Sequence, residues 1–236
     1  MTVRAITFDF WSTLFRDAHG EARWAARVKA AAAMTGAAPE VIEQHLKDIS
    51  HDFFKHHIGE QRTLGPEDAV GMLCERLGCS LTSTQAAALC HVMATTILDH
   101  SPAPEPGALA AVQAAAARFP VGLVSDSGIS PGASLRSLLE RHGFHDFFRV
   151  MVFSDEVGAA KPQPVTFETA ARTLGVAPNE ILHIGDLEPT DILGIRRLGG
   201  KAALFTGINP RFLGNTTADY TFRNWESFIE ALPGIG

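Results

Sequence analysis

The chain has 236 residues, 46% hydrophobic and 19% charged, enough for one medium-sized domain with its own core and an insertion. Lys and Arg number 20 against 26 Asp and Glu, a formal net charge of -6, so no basic surface is expected for nucleic acid or anionic membranes. No apolar stretch approaches the roughly 18 residues of a membrane span and no basic-then-apolar leader opens the chain, so a cytoplasmic location is expected.

The apolar run 3–8 reads as a first strand that ends on Asp9, followed by Phe10, Trp11, Ser12, Thr13 and Leu14. From 21 to about 100 the pattern is helical throughout. Residues 21–35 are Ala-rich and stop at Gly36, Pro39 and Glu40 open a helix from 41 to about 57, and 67–77 ends at Gly78. Thr82 with Gln85 has the form of a capping box ahead of a helix at 86–98, and Ser101-Pro102-Ala103-Pro104 turns the chain back. Strands and helices then alternate. Helix 108–118 leads to strand 119–124 and Ser125; helix 132–141, closed by Gly143, leads to strand 150–153 and Ser154-Asp155. Helix 165–174 leads to strand 181–185 and Asp186, helix 190–198 to strand 202–205 and Thr206, and a last helix covers 225–232. The three cysteines, Cys74, Cys79 and Cys90, lack metal-type spacing and are expected as buried free thiols.

This alternation specifies an α/β fold, a Rossmann-like doubly wound parallel sheet, with residues 1–15 and 102–236 as its core and 16–101 as a helical cap. Crossovers between parallel strands are right-handed, so every strand tip faces the same side and Asp9, Ser125 and Asp186 converge there. Ligands bind at that rim in open sheets. A carboxylate attacking an anionic phosphate meets repulsion of about 1–4 kcal/mol per charge pair near 4 Å, so a cation is needed beside it. Mg²⁺ takes hard oxygens, usually one or two carboxylates, and Asp9 with Asp186 supplies such a pair.

Asp9 at a strand end, Ser125 in Leu123-Val124-Ser125-Asp126, Lys161-Pro162, and Gly185-Asp186 with Asp191 together resemble the four motifs of the haloacid dehalogenase superfamily. The resemblance covers essentially the whole chain; residues 154–164 are typical of the family and the helical insert is similar to its mobile cap. It implies a hydrolase with Asp9 as nucleophile and a small-molecule substrate, most simply a phosphorylated metabolite cleaved through an aspartyl-phosphate. By the same resemblance Mg²⁺ would be held by Asp9, the Trp11 carbonyl, Asp186 and Asp191. Thr13, Ser125, Asp126 and Lys161 would bind substrate, with Asp191 orienting Lys161 or the metal shell.

One position departs from the pattern. Most phosphatases of the family carry a second Asp two residues after the nucleophile, as general acid and base, where this chain has Trp11. Indole cannot exchange a proton near neutral pH, and such help is worth about 10²- to 10⁴-fold. A metal-dependent phosphatase with a good leaving group, or with a proton borrowed from substrate or cap, fits the acidic fourth motif best. A 2-haloacid dehalogenase is the alternative, since those enzymes carry an aromatic residue there and halide leaves without a proton, but they lack the acidic fourth motif. A phosphonatase would need a cap lysine, for which Lys29, Lys47 and Lys55 are available, and a binding protein that has lost catalysis is the contrary class. His51, His56 and His57 read as the outward face of an amphipathic helix, His183 as a packed strand residue, and Arg16 and Asp17 as a hinge that reaches substrate or solvent.

Overall fold

The computed structural model describes residues 2–236, with all side chains except those of Phe54, His57 and Ile58. Its strands are β1 (Ala5–Phe8), β2 (Phe15–Arg16), β3 (Ala103–Pro104), β4 (Val121–Ser125), β5 (Val150–Phe153), β6 (Ile181–Gly185), β7 (Lys201–Phe205) and β8 (Tyr220–Phe222). Six of them form a parallel sheet in the order β5-β4-β1-β6-β7-β8. Its central strands are apolar without alternation because helices cover both faces, which is why they read as continuous runs in the sequence. From β1 the chain moves outward to β4 and β5, then crosses to β6 on the other side of β1. The reversal sits beside β1, and a crevice opens there at the carboxyl ends of the strands.

The helices are α1 (Gly20–Thr35), α2 (Pro39–Lys55), α3 (Pro66–Leu77), α4 (Ser83–Asp99), α5 (Ala108–Ala116), α6 (Gly132–Arg141), α7 (Ser154–Val157), α8 (Pro164–Leu174), α9 (Leu193–Arg197) and α10 (Trp225–Ala231). On one face of the sheet Phe8, Leu123 and Phe205 pack with Val112, Leu138, Trp225 and Phe228; on the other Ala5, Val124 and Leu204 pack with Phe167, Ala171 and Ile195. Helices α1–α4 enclose a third core of their own, including Val28, Ile49, Leu73, Leu89 and Met93. The insert departs and returns through a two-strand antiparallel ribbon, Phe15 opposite Pro104 and Arg16 opposite Ala103. Glu105 N–H donates to Leu14 O at 2.8 Å beside it.

Differences from the sequence reading have local causes. The expected helix at 190–198 opens earlier, as a wide π-type turn over Glu188–Ile192, because the Leu187 carbonyl accepts from both Asp191 N–H (2.9 Å) and Ile192 N–H (3.3 Å). Strand β8 is three residues long at the sheet edge, too short to leave a periodic signal. The second cap helix stops at Lys55 and continues as a π-type turn, His56–Glu60, so the histidine stretch is only partly α-helical. There His51 is exposed and His56 half-buried, while the His57 side chain lies outside the described residues. The cysteines are free but half-buried rather than buried, since larger side chains such as Leu73 and Met93 take the thin interior of the cap. The capping box forms as read: Gln85 N–H donates to Thr82 Oγ1 at 3.3 Å and Thr82 N–H to Gln85 Oε1 at 3.0 Å. Among the described residues no helix is long and apolar enough to cross a membrane.

Trp225 is fully buried, stacked on Phe205 with centroids 4.4 Å apart and tilted against Phe8 at 5.7 Å. Trp225→Ala should therefore cost about 3–5 kcal/mol, read as a lower urea midpoint at unchanged slope.

Candidate active site

Asp9 directly follows β1, and its N–H donates to Ile184 O of β6 at 2.9 Å, so strand pairing extends through the residue that bears the carboxylate. The loop beyond turns sharply. Ser12 takes a left-handed φ of 55° and donates its N–H to Phe15 O at 2.8 Å, which brings Trp11 and Ser12 to the rim of the crevice. Lys161, just 2% exposed, enters the same space from the loop before α8. Its ammonium donates to Asp9 Oδ1 at 2.7 Å, Asp191 Oδ1 at 2.5 Å and Val124 O at 3.2 Å. An ammonium has three N–H bonds, and all are engaged.

Asp191 is equally constrained. Its Oδ1 also meets His183 Nε2 at 3.1 Å, and its Oδ2 accepts Leu187 N–H at 3.0 Å. Thr7 lies across from His183 in the β1–β6 register, and its hydroxyl meets His183 Nδ1 at 2.9 Å. With Nε2–H donated to the carboxylate, the neutral ring accepts from Thr7. Gly185 makes room for this arrangement, since a Cβ there would overlap the Asp191 carboxylate. Asp186, next along, accepts from Asn209 Nδ2 on Oδ2 at 2.7 Å.

Carboxylate oxygens of Asp9, Asp186 and Asp191 all lie within 4.8 Å of one another. Burial pushes the Asp9 carboxyl up to about 8; Lys161 opposes this while Asp191 and Asp186 add to it. Burial and then Asp191 push Asp186 up to about 7 against its Asn209 hydrogen bond. Burial works against charge on Asp191 too, but Lys161 and His183 together hold it below the usual carboxylate range. For Lys161 burial opposes charge, and Asp191 with Asp9 outweighs it and raises the ammonium's pKa. Burial lowers His183, outweighing Asp191. Lys161 and Asp191 cancel, leaving Asp9 and Asp186 as two carboxylates in excess. A divalent cation between them would favour the ionised form of both, and hard oxygen donors at this spacing fit Mg²⁺.

These groups form the floor of a cavity of about 500 Å³ whose roof is the cap. Asp126 and Lys161 line it, and Asp126 Oδ1 also accepts Lys161 N–H at 2.9 Å. Thr13 and Ser125, expected to face substrate, are set back from the lining. Thr13 is fully buried, its hydroxyl without a partner among the described residues, and Ser125 donates to Asp126 O at 3.3 Å. Their neighbours Ser12 and Ser127 present hydroxyl residues to the cavity instead. Asp17 lines it as well, whereas Arg16 points away to Glu105 at 3.8 Å. None of Lys29, Lys47 and Lys55 reaches the cavity; Lys29 and Lys47 lie along a separate cap groove, and Lys47 pairs with Glu43 at 2.7 Å. The sequence reading did not assign Thr7, Asn209 or the cap arginines Arg23 and Arg27 to the site, and took His183 as packing alone. The available signal was a polar residue, Thr7 or His183, inside each of two otherwise apolar strands.

A family model described as haloacid dehalogenase-like hydrolase matches residues 3–199. The chain belongs to that family. Within the haloacid dehalogenase-like hydrolases, a glyceraldehyde 3-phosphate phosphatase of Methanopyrus kandleri is 48% identical over 61 residues. That segment is 26% of this chain and 26% of the relative, so the match spans about a quarter of each. An HAD phosphatase structure from Thermococcus onnurineus superposes with a TM-score of 0.71 at 18% identity, covering 98% of this chain and 99% of that one. A 2-haloacid dehalogenase structure from Pseudomonas syringae pv. Tomato DC3000 gives 0.72 at 20% identity with both chains fully covered. These two likenesses establish the shared fold.

Gly185→Ala tests how tightly the motif is packed. The added methyl should displace Asp191 and lower stability by about 1–3 kcal/mol in urea unfolding.

Proposed function

We propose that this hydrolase is a Mg²⁺-dependent phosphatase that acts on a small phosphorylated metabolite through an aspartyl-phosphate on Asp9. The observation that carries this reading is the close carboxylate pair Asp9 and Asp186, only partly compensated by a lysine whose three N–H bonds are taken up by Asp9, Asp191 and a carbonyl. A metal-free displacement gives Asp186 no work, whereas a divalent ion turns its buried charge from a cost into a ligand. Asp9 and Asp186 would hold Mg²⁺ with the Trp11 carbonyl, and Asp191, its Oδ1 doubly engaged, would act mainly by fixing Lys161. When bound, the ion neutralises and orients the phosphoryl group.

Lys161 fixes the rotamer of Asp9 through Oδ1 and adds positive charge where the phosphoryl oxygens gain negative charge. An Asp9 oxygen bonds to phosphorus while the bridging oxygen leaves with its electron pair; water then cleaves the acyl phosphate, releasing phosphate and restoring Asp9. Trp11 cannot protonate the leaving oxygen, which favours acyl and aryl phosphates, whose leaving groups depart as stable anions. Its partly buried ring packs edge-on to Phe10 at 5.1 Å and gives the cavity an apolar wall.

Trp11 also favours a second reading, turnover of a 2-haloacid, because halide needs no proton. The two readings part on metal. Hydrolysis of p-nitrophenyl phosphate should require Mg²⁺, stop with EDTA and fall to background in Asp9→Asn. Turnover of a 2-haloacid that survives EDTA, with no phosphate release under any metal, would replace the first reading by the second. Trp11→Asp should raise alkyl phosphate hydrolysis by about 10²-fold or more by restoring a proton donor beside the leaving oxygen. No gain in a folded variant would assign that proton to the substrate or cap.

A further inference from the structure

The roof of the cavity carries a charge that the phosphoryl chemistry does not use. Arg23 and Arg27, one turn apart on α1, both line the cavity although they are only 6% and 7% exposed. Among the described residues Arg27 has no carboxylate hydrogen-bond partner. Its Nε donates to Met93 O and Thr96 Oγ1, each at 3.1 Å, and its Nη2 to Met93 O at 2.8 Å and Ser130 Oγ at 3.0 Å, all neutral acceptors. Arg23 Nη1 donates to His100 O at 2.8 Å and Nη2 to Asp17 Oδ1 at 2.6 Å, and its guanidinium lies 6.0 Å from the centre of the Trp11 ring. Arg23 Nε and Arg27 Nη1 meet no acceptor among the described residues. Burial, then repulsion from Arg23, lowers Arg27 to about 10, with Asp17 as the opposing influence. The third cap arginine on the cavity, Arg62, is exposed and pairs with Asp68 at 3.6 Å, so the two buried guanidiniums against half-exposed Asp17 leave the roof with one net positive charge, and an uncompensated buried charge is costly unless a ligand completes it.

We infer that Arg23 and Arg27 form an anion subsite on the cap that selects phosphate esters bearing a carboxylate. This deepens the phosphatase reading and rests on it: the phosphoryl group takes the floor at Asp9 and Lys161, and the carboxylate takes the roof beside Trp11. A single net charge matches a carboxylate better than a dianionic second phosphate, and a cavity of about 500 Å³ confines both ends to a small molecule. Arg23 Nε and Arg27 Nη1 are the donors left for it, one from each guanidinium.

The test uses non-hydrolysable probes with Mg²⁺ present. Phosphonoacetate carries phosphonate and carboxylate, methylphosphonate only the first, and methylenediphosphonate replaces the carboxylate by a second phosphonate. Titration calorimetry of the full chain should show phosphonoacetate bound at least tenfold tighter than methylphosphonate. In Arg23→Gln that ratio should fall toward one, while Arg23→Lys, which keeps the charge, should retain part of it. A wild-type ratio near one, or a ratio unchanged in a folded Arg23→Gln, would overturn the inference, and so would methylenediphosphonate binding tighter than phosphonoacetate. If Arg23→Gln does not fold, the wild-type ratio alone decides. A ratio near one alongside intact Mg²⁺-dependent p-nitrophenyl phosphate hydrolysis removes only the subsite; loss of that hydrolysis removes the phosphatase reading beneath it.

Discussion

The site is organised around one buried ammonium. Lys161 sits where β1, β4 and β6 end, and its three hydrogen bonds reach the carboxylate directly after β1, a carbonyl of β4 and a carboxylate beyond the end of β6. Removing such a charge from water costs several kcal/mol, and that cost is offset only if every N–H finds an acceptor and an opposite charge lies close. Both conditions hold, so Lys161, Asp9 and Asp191 are mutually dependent. His183 and Thr7 extend the network into the sheet, and Gly185 clears the space it occupies.

Once Lys161 is committed to Asp191, it compensates Asp9 only in part and Asp186 less, from a distance and without a hydrogen bond. Burial first, and then that imbalance through the neighbouring carboxylates, raises the carboxyls of Asp9 and Asp186. The same buried surroundings that make a lone carboxylate unfavourable strengthen its attraction to a cation, because less solvent screens the pair. Under the proposed reading, a floor with surplus negative charge beneath the cap cavity would hold a cation together with an anionic substrate.

Much of this was legible from the chain. Parallel strands buried on both faces read as apolar runs, and the polar residue ending each run marks the rim, which holds for Asp9 and Asp186, while at β4 the rim falls on Asp126 and Ser127, just past Ser125. Lys161 and Asp191 came only through the resemblance to the family's motifs. What stayed hidden depends on register and on how the cap sits. Thr7 and His183 become partners only when β1 and β6 pair with no offset between those two positions. Asn209 reaches Asp186 from a loop with no periodic signal. Arg23 and Arg27 lie on an Ala-rich helix whose inward face cannot be told from its outward one until α4 packs against it. The ribbon of β2 and β3 has two residues per strand, too few for alternation.

The cap and the chemistry are joined through backbone as well as charge. Gln61 O in the cap accepts Ala160 N–H at 3.0 Å, one residue before Lys161, and also Gln163 Nε2 at 3.0 Å. Thr63 Oγ1 donates to Ser154 Oγ at 2.6 Å, and the same oxygen accepts Ser127 N–H at 2.9 Å in the loop after β4. Arg27 reaches Ser130 in that loop. The cap therefore grips the two loops that carry Lys161 and Asp126. Movement of the cap would loosen the ammonium's loop and withdraw the arginines at the same moment, so the enclosed arrangement is the one in which floor and roof charges act together on one ligand. That coupling gives a physical reason for placing selectivity in the insert: binding energy gained at the roof helps hold the loop that positions Lys161 against Asp9.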